Sequence, residues 1–300
     1  MRWGRLYFAA QAVLGAAWWV AVAGLPGVRE ATLGGLDPLV VAVLDVPLFV
    51  VGSALAAAGI RAAAVIATAW TLLVTLALAG YATITTEAGW GVVAMAAASA
   101  GSVVALLEVI LGRVPTEWIM RGPFAFRVAR PRQGRAVHVA ATMLQIAVFW
   151  GFFLVAIPLV VVAAERRWDL HVALPEPVGV IGVVVLALSS ALGIWSGLTM
   201  SIRGNGTPLP AAMPNEFVVS GPYRFVRNPM ALSGIVQGAA VGLILSSWLV
   251  VAYAVVGSLV WNYAVRPHEE ADLEAKFGDE FRAYRDSVRC WIPQRPALLG

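Results

Sequence analysis

The chain has 300 residues, 60% of them hydrophobic and only 13% charged. A mean hydropathy of +0.81 and repeated apolar runs, long enough to cross a hydrocarbon core of about 30 Å, read as an integral membrane protein with no sizeable soluble domain. The single cysteine, Cys290, excludes an internal disulfide, three histidines without a CxxC pair argue against a metal centre, and the net charge of +4 is explained by orientation and anionic headgroups rather than by nucleic acid.

In chain order, apolar runs predict spans at 6–25, 38–60, 62–86, 90–112, 138–163 and 177–202. Two shorter runs, 231–245 and 247–265, read as a hairpin turned at Ser246-Ser247-Trp248. The expected fold is all-α: a polytopic helical membrane protein of about eight helical segments, followed by a cytosolic amphipathic helix. "AVAG" at Ala21 to Gly24 has the small residues of a signal cleavage site, but the apolar stretch is long for a signal, and an uncleaved span is expected. With Arg2 and Arg5 inside, the alternation puts Arg61, Arg113, Arg121, Arg127, Arg130, Arg132, Arg135, Arg203, Arg224, Arg227 and Arg266 on the same side. Only Arg29, Arg166 and Arg167 fall opposite, so both termini are expected in the cytosol, with the cell membrane as location. The chain divides into N-terminal membrane helices with a basic loop, 1–136, and a membrane core with a polar loop and C-terminal helix, 137–300.

Polar residues inside the spans read mostly as packing groups. Asp45 and Glu108 are expected to be protonated or hydrogen-bonded between helices, Gln145 and Asn262 to hydrogen-bond between helices, and His138 to meet headgroups. Loop 113–136 reads as a basic segment lying on anionic lipid. Beyond Arg266, Leu273, Phe277, Phe281, Tyr284 and Val288 recur at spacings of three or four, an amphipathic pattern. Gly278 and Asp279 equally allow a pair of short helices, and the stripe suits either the membrane surface or a lid over the preceding site.

Chemistry concentrates in "GPYRFVRNPM", Gly221 to Met230, and in "RGNGTPLPAAMPNEFVVSG" before it. Proline there stops a helix and frees backbone N–H and C=O groups, Gly221 permits close approach, Tyr223 offers a ring and a hydroxyl, and Arg224 and Arg227 carry fixed charge. Irregular backbone at membrane level is costly unless it lines a cavity. Followed by the acidic Glu269 and Glu270, the loop reads either as a pocket for a polar cofactor or as an ordinary arginine-rich inside loop.

The order "GTPLP", "FVVSGPYRFVRNPMALSG", a short apolar hairpin, then "RPHEEADLEAKFGDEFRAYRDSVRCWIP" resembles the isoprenylcysteine carboxyl methyltransferase and phospholipid methyltransferase superfamily of integral membrane enzymes, over roughly 200 to 295. The resemblance implies a cytosol-facing pocket for S-adenosylmethionine. Carried over, Asn215, Glu216, Phe217 and Val218 form a first cofactor strip, followed by Tyr223, then Arg227, Asn228, Pro229, Met230 and Ala231, then Glu269 and Glu270. Asn228 stands where histidine is common and Ala231 where an aromatic is frequent; backbone contacts survive both changes. Arg266 takes the position implied to hold an anionic acceptor headgroup. The implied acceptor is lipophilic or membrane-embedded, a carboxylate or an amine, with membrane lipids as partners. A reductase of the sterol-reductase type using NADPH shares the hairpin and a similar Arg-x-Pro loop, and a transporter or structural membrane protein would bind no cofactor.

Overall fold

Helices make up every regular element among the described residues of the computed structural model, which describes 2–119, 135–204 and 215–294. Arg121, Arg127, Arg130 and Arg132 of the basic loop, and "GTPLP", lie outside them. Among the described residues, seven helices are long and apolar enough to cross a membrane. These are α1 (Arg2–Gly24), α3 (Pro38–Ala57), α4 (Arg61–Thr85), α5 (Gly89–Leu111), α6 (Ala136–Arg167), α7 (Glu176–Arg203) and a rod over Trp248–Phe277; α8 (Pro229–Ile244) is a shorter apolar helix. The protein is thus an integral membrane protein of the expected polytopic helical class. A short helix, α2 (Pro26–Leu33), was not expected; Pro26 starts it and Gly34, at φ 58°, ends it.

The rod comprises α9 (Trp248–Val260), a wide π turn (Trp261–Val265) and α10 (Arg266–Phe277). Its apolar part, 248–265, measures about 27 Å at 1.5 Å per residue, and charge begins at Arg266, so α10 projects beyond the hydrocarbon. The helix outlasts the apolar run because backbone bonding continues where hydropathy stops. Similar wide turns occur at Val46–Val51, with Pro47 in the first turn, and at Gly151–Ala156, just before Pro158. Proline lacks an N–H and crowds the carbonyl four residues back, so the ladder widens beside it. Past Phe277, Gly278 (φ 54°) separates α10 from α11 (Asp279–Ser287), so the amphipathic stretch is a pair of short helices.

The described residues form two compact units, 2–115 with 163–171, and 116–162 with 172–294. In the first, Gln11 donates to Ser53 Oγ at 3.0 Å and accepts from Ser102 Oγ at 2.8 Å, joining three helices. Asp45 accepts from the indoles of Trp19 and Trp70, both at 2.8 Å, the interhelical bonding expected of it. Arg5 donates to Ala57 O at 2.8 Å at the end of the unit where α4 begins. Arg167 donates to Ile84 O at 2.9 Å at the other end of α4.

In the second unit, α7 and α8 approach through small residues. A Cβ on Gly182 would meet Ala240 O at 3.0 Å, and one on Gly193 would meet Ser233 Oγ at 2.8 Å. Such close approach is how helices associate where water gives no hydrophobic push. Gln237 donates to Ser190 Oγ across the pair at 3.0 Å. Ser247 caps α9 by accepting from Val250 N at 3.1 Å, and Ser246 Oγ accepts from Leu174 N at 2.8 Å, tying the hairpin tip to the segment before α7. His138 is 3% exposed on α6, so burial replaces the headgroup contact expected of it.

Candidate functional site

Turn chemistry shapes the loop from the residues upward. Gly204 O accepts from Asn215 N at 2.7 Å, closing the base of the loop, and 217–219 then run without regular structure. Gly221 adopts φ 56° and lies so close to α7 that a Cβ would sit 2.8 Å from Thr199 Oγ1 and 3.4 Å from the Trp195 indole nitrogen. The turn Gly221–Arg224 buries Pro222 and Tyr223, and Pro229 restarts the helix as α8. From the opposite side, the wide turn and Pro267 set the direction of α10, which presents Glu269 and Glu270 to the loop.

Between them lies a cavity of about 70 Å³. Of the residues expected at a cofactor site, Glu216, Phe217, Val218, Tyr223, Arg227, Asn228, Met230, Glu269 and Glu270 line it. Asn215, Pro229 and Ala231 do not, and neither does Arg266. The strip Glu216–Val218 also borders an open cleft of about 670 Å³, shared with Ile202, Arg203, Val219 and Ser220.

The apolar stripe of α10 and α11 supplies the rest of the wall. Phe281, Tyr284 and Val288 are buried together, packed by Phe217, Val219, Leu273 and Phe277. The Phe217 ring lies 5.2 Å from Phe277, 6.2 Å from Phe281 and 5.4 Å from Tyr284. The stripe therefore covers the site. Met200, Leu273, Phe277, Phe281 and Tyr284 line the cavity without having been assigned to it. The three-to-four spacing pointed to the last four, whereas Met200 is one apolar residue in an apolar span and gave no signal.

The acidic pair is electrically divided. Glu269 is partly exposed as a residue, but its carboxyl is buried; burial, then the neighbouring Glu270, push it up to about 7 against a hydrogen bond with Asn228. The Tyr223 hydroxyl is raised by burial and by Glu269. Glu270 instead faces arginines, its Oε1 lying 3.0 Å from Arg227 Nη2 and 3.8 Å from Arg266 Nη1. Arg266 also hydrogen-bonds Cys290. Its guanidinium is therefore directed to Glu270 and Cys290. His268 Nε2 is 2.9 Å from Thr116 Oγ1, and Asn262 accepts from the Trp291 indole at 3.1 Å, a bond to the C-terminal segment rather than between spans.

Residues 178–280 match the family model of phospholipid methyltransferases, a segment that holds α7, the loop, the hairpin and α10. The match agrees with the superfamily resemblance of the sequence, beginning earlier, at the start of α7, and ending within α11. It supports methyltransferase activity on a membrane substrate. No curated protein matches the chain.

Proposed function

We propose that the protein transfers a methyl group from S-adenosylmethionine to a lipophilic, membrane-embedded acceptor, a carboxylate or an amine, at the membrane face that carries Glu269. One observation carries the reading: two motifs flanking a single hairpin converge, so that a buried carboxyl, Glu269, meets Asn228 and Tyr223 in one cavity.

The donor set suits this cofactor. Glu269 offers a carboxylate to its amino group or ribose hydroxyls, the rings of Phe217, Phe277 and Phe281 offer an adenine wall, and the N–H groups of Phe217 and Val218 offer partners for its carboxylate. The chemistry fits while the volume is tight, because about 70 Å³ accommodates only a few waters. Entry of the cofactor requires the aromatic cover to shift, and Phe217, which belongs to that cover, also borders the larger cleft. When bound, the cofactor supplies a methyl group already activated on a sulfonium. The chain's own residues then have to bind, orient and exclude water, and no catalytic triad is needed. Tyr223 and Asn228 fix the orientation of the Glu269 side, and the buried Phe281 and Tyr284 keep water out.

The test is to incubate membranes containing the protein with radiolabelled S-adenosylmethionine, fractionate the lipids, and measure binding of S-adenosylhomocysteine and of NADPH to the purified protein. Label in a lipid fraction together with S-adenosylhomocysteine binding supports the reading. Binding of NADPH alone replaces it with a reductase, and binding of neither leaves a non-enzymatic membrane protein.

A further inference from the structure

The family match ends at residue 280, yet residues beyond it bind the loop from behind. Arg227 N donates to Arg289 O at 2.9 Å and Gln294 N donates to Phe225 O at 2.9 Å, so the two segments run side by side through backbone bonds. The Tyr284 hydroxyl donates to Tyr223 O at 2.6 Å. Arg227 Nη1 reaches Arg285 O at 2.8 Å and Val288 O at 3.3 Å, while its Nη2 holds Glu270 at 3.0 Å. Both ends of the fork are thus committed to the fold. The tail is fixed again at Trp291, which donates to Asn262 and packs edge-on against Trp261 with ring centroids 5.1 Å apart.

We infer that Arg227, Glu270 and the tail from Tyr284 to Gln294 form a clasp, in which Glu270 and Arg227 are positioning residues rather than cofactor contacts, and which leaves Glu269 as the carboxylate of the pair that receives the ligand. The physical argument is one of competition. A half-buried carboxylate between two guanidiniums gives most of its attraction to them, and it holds together the loop, through Arg227, and the start of α10, through Arg266. Glu269, one residue on, points about 100° around the helix and hydrogen-bonds Asn228 beside Tyr223, while the guanidinium of Arg227 in the same cavity is taken by Glu270. Lysine at 227 could not reproduce the arrangement, because one ammonium cannot serve Glu270 and two tail carbonyls in the same directions.

The inference rests on the proposed cofactor only for its binding arm, and amide exchange tests the clasp separately. In the full-length protein, Glu270→Gln and Arg227→Lys should each raise hydrogen exchange together in 223–228 and 285–294, while Glu269→Gln leaves both segments protected. For S-adenosylhomocysteine, the double variant R227K/E270Q should lose no more affinity than the worse single variant, because either change opens the same clasp; E269Q added to E270Q should lose at least tenfold more. E270Q should also move the pH midpoint of affinity, whereas E269Q should abolish the pH dependence. If E270Q leaves exchange unchanged and removes as much affinity as E269Q at every pH, Glu270 touches the ligand and the clasp is wrong. If the wild-type protein binds no S-adenosylhomocysteine, the proposed function fails, and the exchange result alone decides the clasp: coupled loss of protection upholds it, and unchanged protection overturns it.

Discussion

Replacing Glu269 by glutamine removes one negative charge from the cavity with almost no change of shape. Burial and Glu270 push the wild-type carboxyl up to about 7, which corresponds to about one-tenth ionised at pH 6 and about nine-tenths at pH 8. A cationic amino group binds the ionised form. Affinity for S-adenosylhomocysteine is therefore fully present above pH 7 and is lost as pH falls through it, by about tenfold between pH 8 and pH 6, or about 1.4 kcal/mol. At pH 8, E269Q leaves the bound cation without a counter-charge, a loss of about 2 kcal/mol or more for a desolvated pair, which corresponds to at least about 30-fold in Kd. The folded state responds in the opposite sense. A carboxyl raised by burial weakens the fold where it is ionised, so E269Q should melt no lower than wild type at pH 8. Calorimetric titration from pH 6 to pH 8, beside thermal unfolding in the same detergent, measures both quantities. Wild-type affinity that is flat across this range, or E269Q binding as tightly as wild type at pH 8, would refute the assignment of Glu269 to the amino group.

Gly221→Ala should destabilise the loop, since a left-handed φ of 56° costs a non-glycine residue about 1–2 kcal/mol and the new Cβ would meet Thr199 Oγ1 at 2.8 Å. The double variant T199A/G221A should recover the contact part and not the backbone part; a G221A protein that melts like wild type would show that the loop is not held in this conformation. Asp45→Ala should lower stability by about 1–3 kcal/mol for each of the two indole donors left unpaired, read by thermal unfolding, with S-adenosylhomocysteine affinity unchanged. Lost affinity at undiminished stability would make Asp45 a functional rather than a packing residue.

Much of this fold could be read from hydropathy, because a span needs little more than about 20 apolar residues, and the hairpin was visible in two short runs separated by serines. The loop around Tyr223 was legible for a different reason: proline and glycine interrupt helices by local chemistry that does not depend on tertiary context, whereas Asn228 and Glu269 entered through the superfamily resemblance. What could not be read is where long side chains point. Arg227 and Arg266 carry the same charge in the sequence as any lipid-facing arginine, and only the folded chain shows both turned towards Glu270. The tail 289–294 carried no span and no helical period, so its pairing with 225–227 and the anchoring of Trp291 on Asn262 rest on contacts between segments far apart in the chain. Likewise the stripe of α10 and α11 fitted a membrane surface and a lid equally well by spacing, and the position of Phe217 decides between them.

The length of the hairpin bears on how a lipophilic acceptor would reach the site. Helix α8 has 16 residues, about 24 Å, against about 30 Å of hydrocarbon. Its tip is tied through Ser246 to the segment before α7, and its base carries Asn228 and Pro229. A short apolar helix is accommodated by local thinning of the bilayer or by drawing its flanks inward. Either response brings the loop to the hydrocarbon edge. Two exposed aromatics agree with that depth: Trp195, 52% exposed beside Gly221, and Tyr263, 71% exposed in the wide turn before Pro267. Tryptophan and tyrosine favour the headgroup level, where the ring is apolar and its polar atom is wet. Under the proposed function, an acceptor then needs only to bring its polar group to the level it already occupies in the bilayer. Its chain stays in lipid while Glu269, Tyr223 and Asn228 hold the cofactor side from the aqueous face. This also accounts for irregular backbone at such a depth, because 223–227 is bonded from behind by the C-terminal tail and the loop in front lines a cavity, the conditions under which a membrane tolerates it.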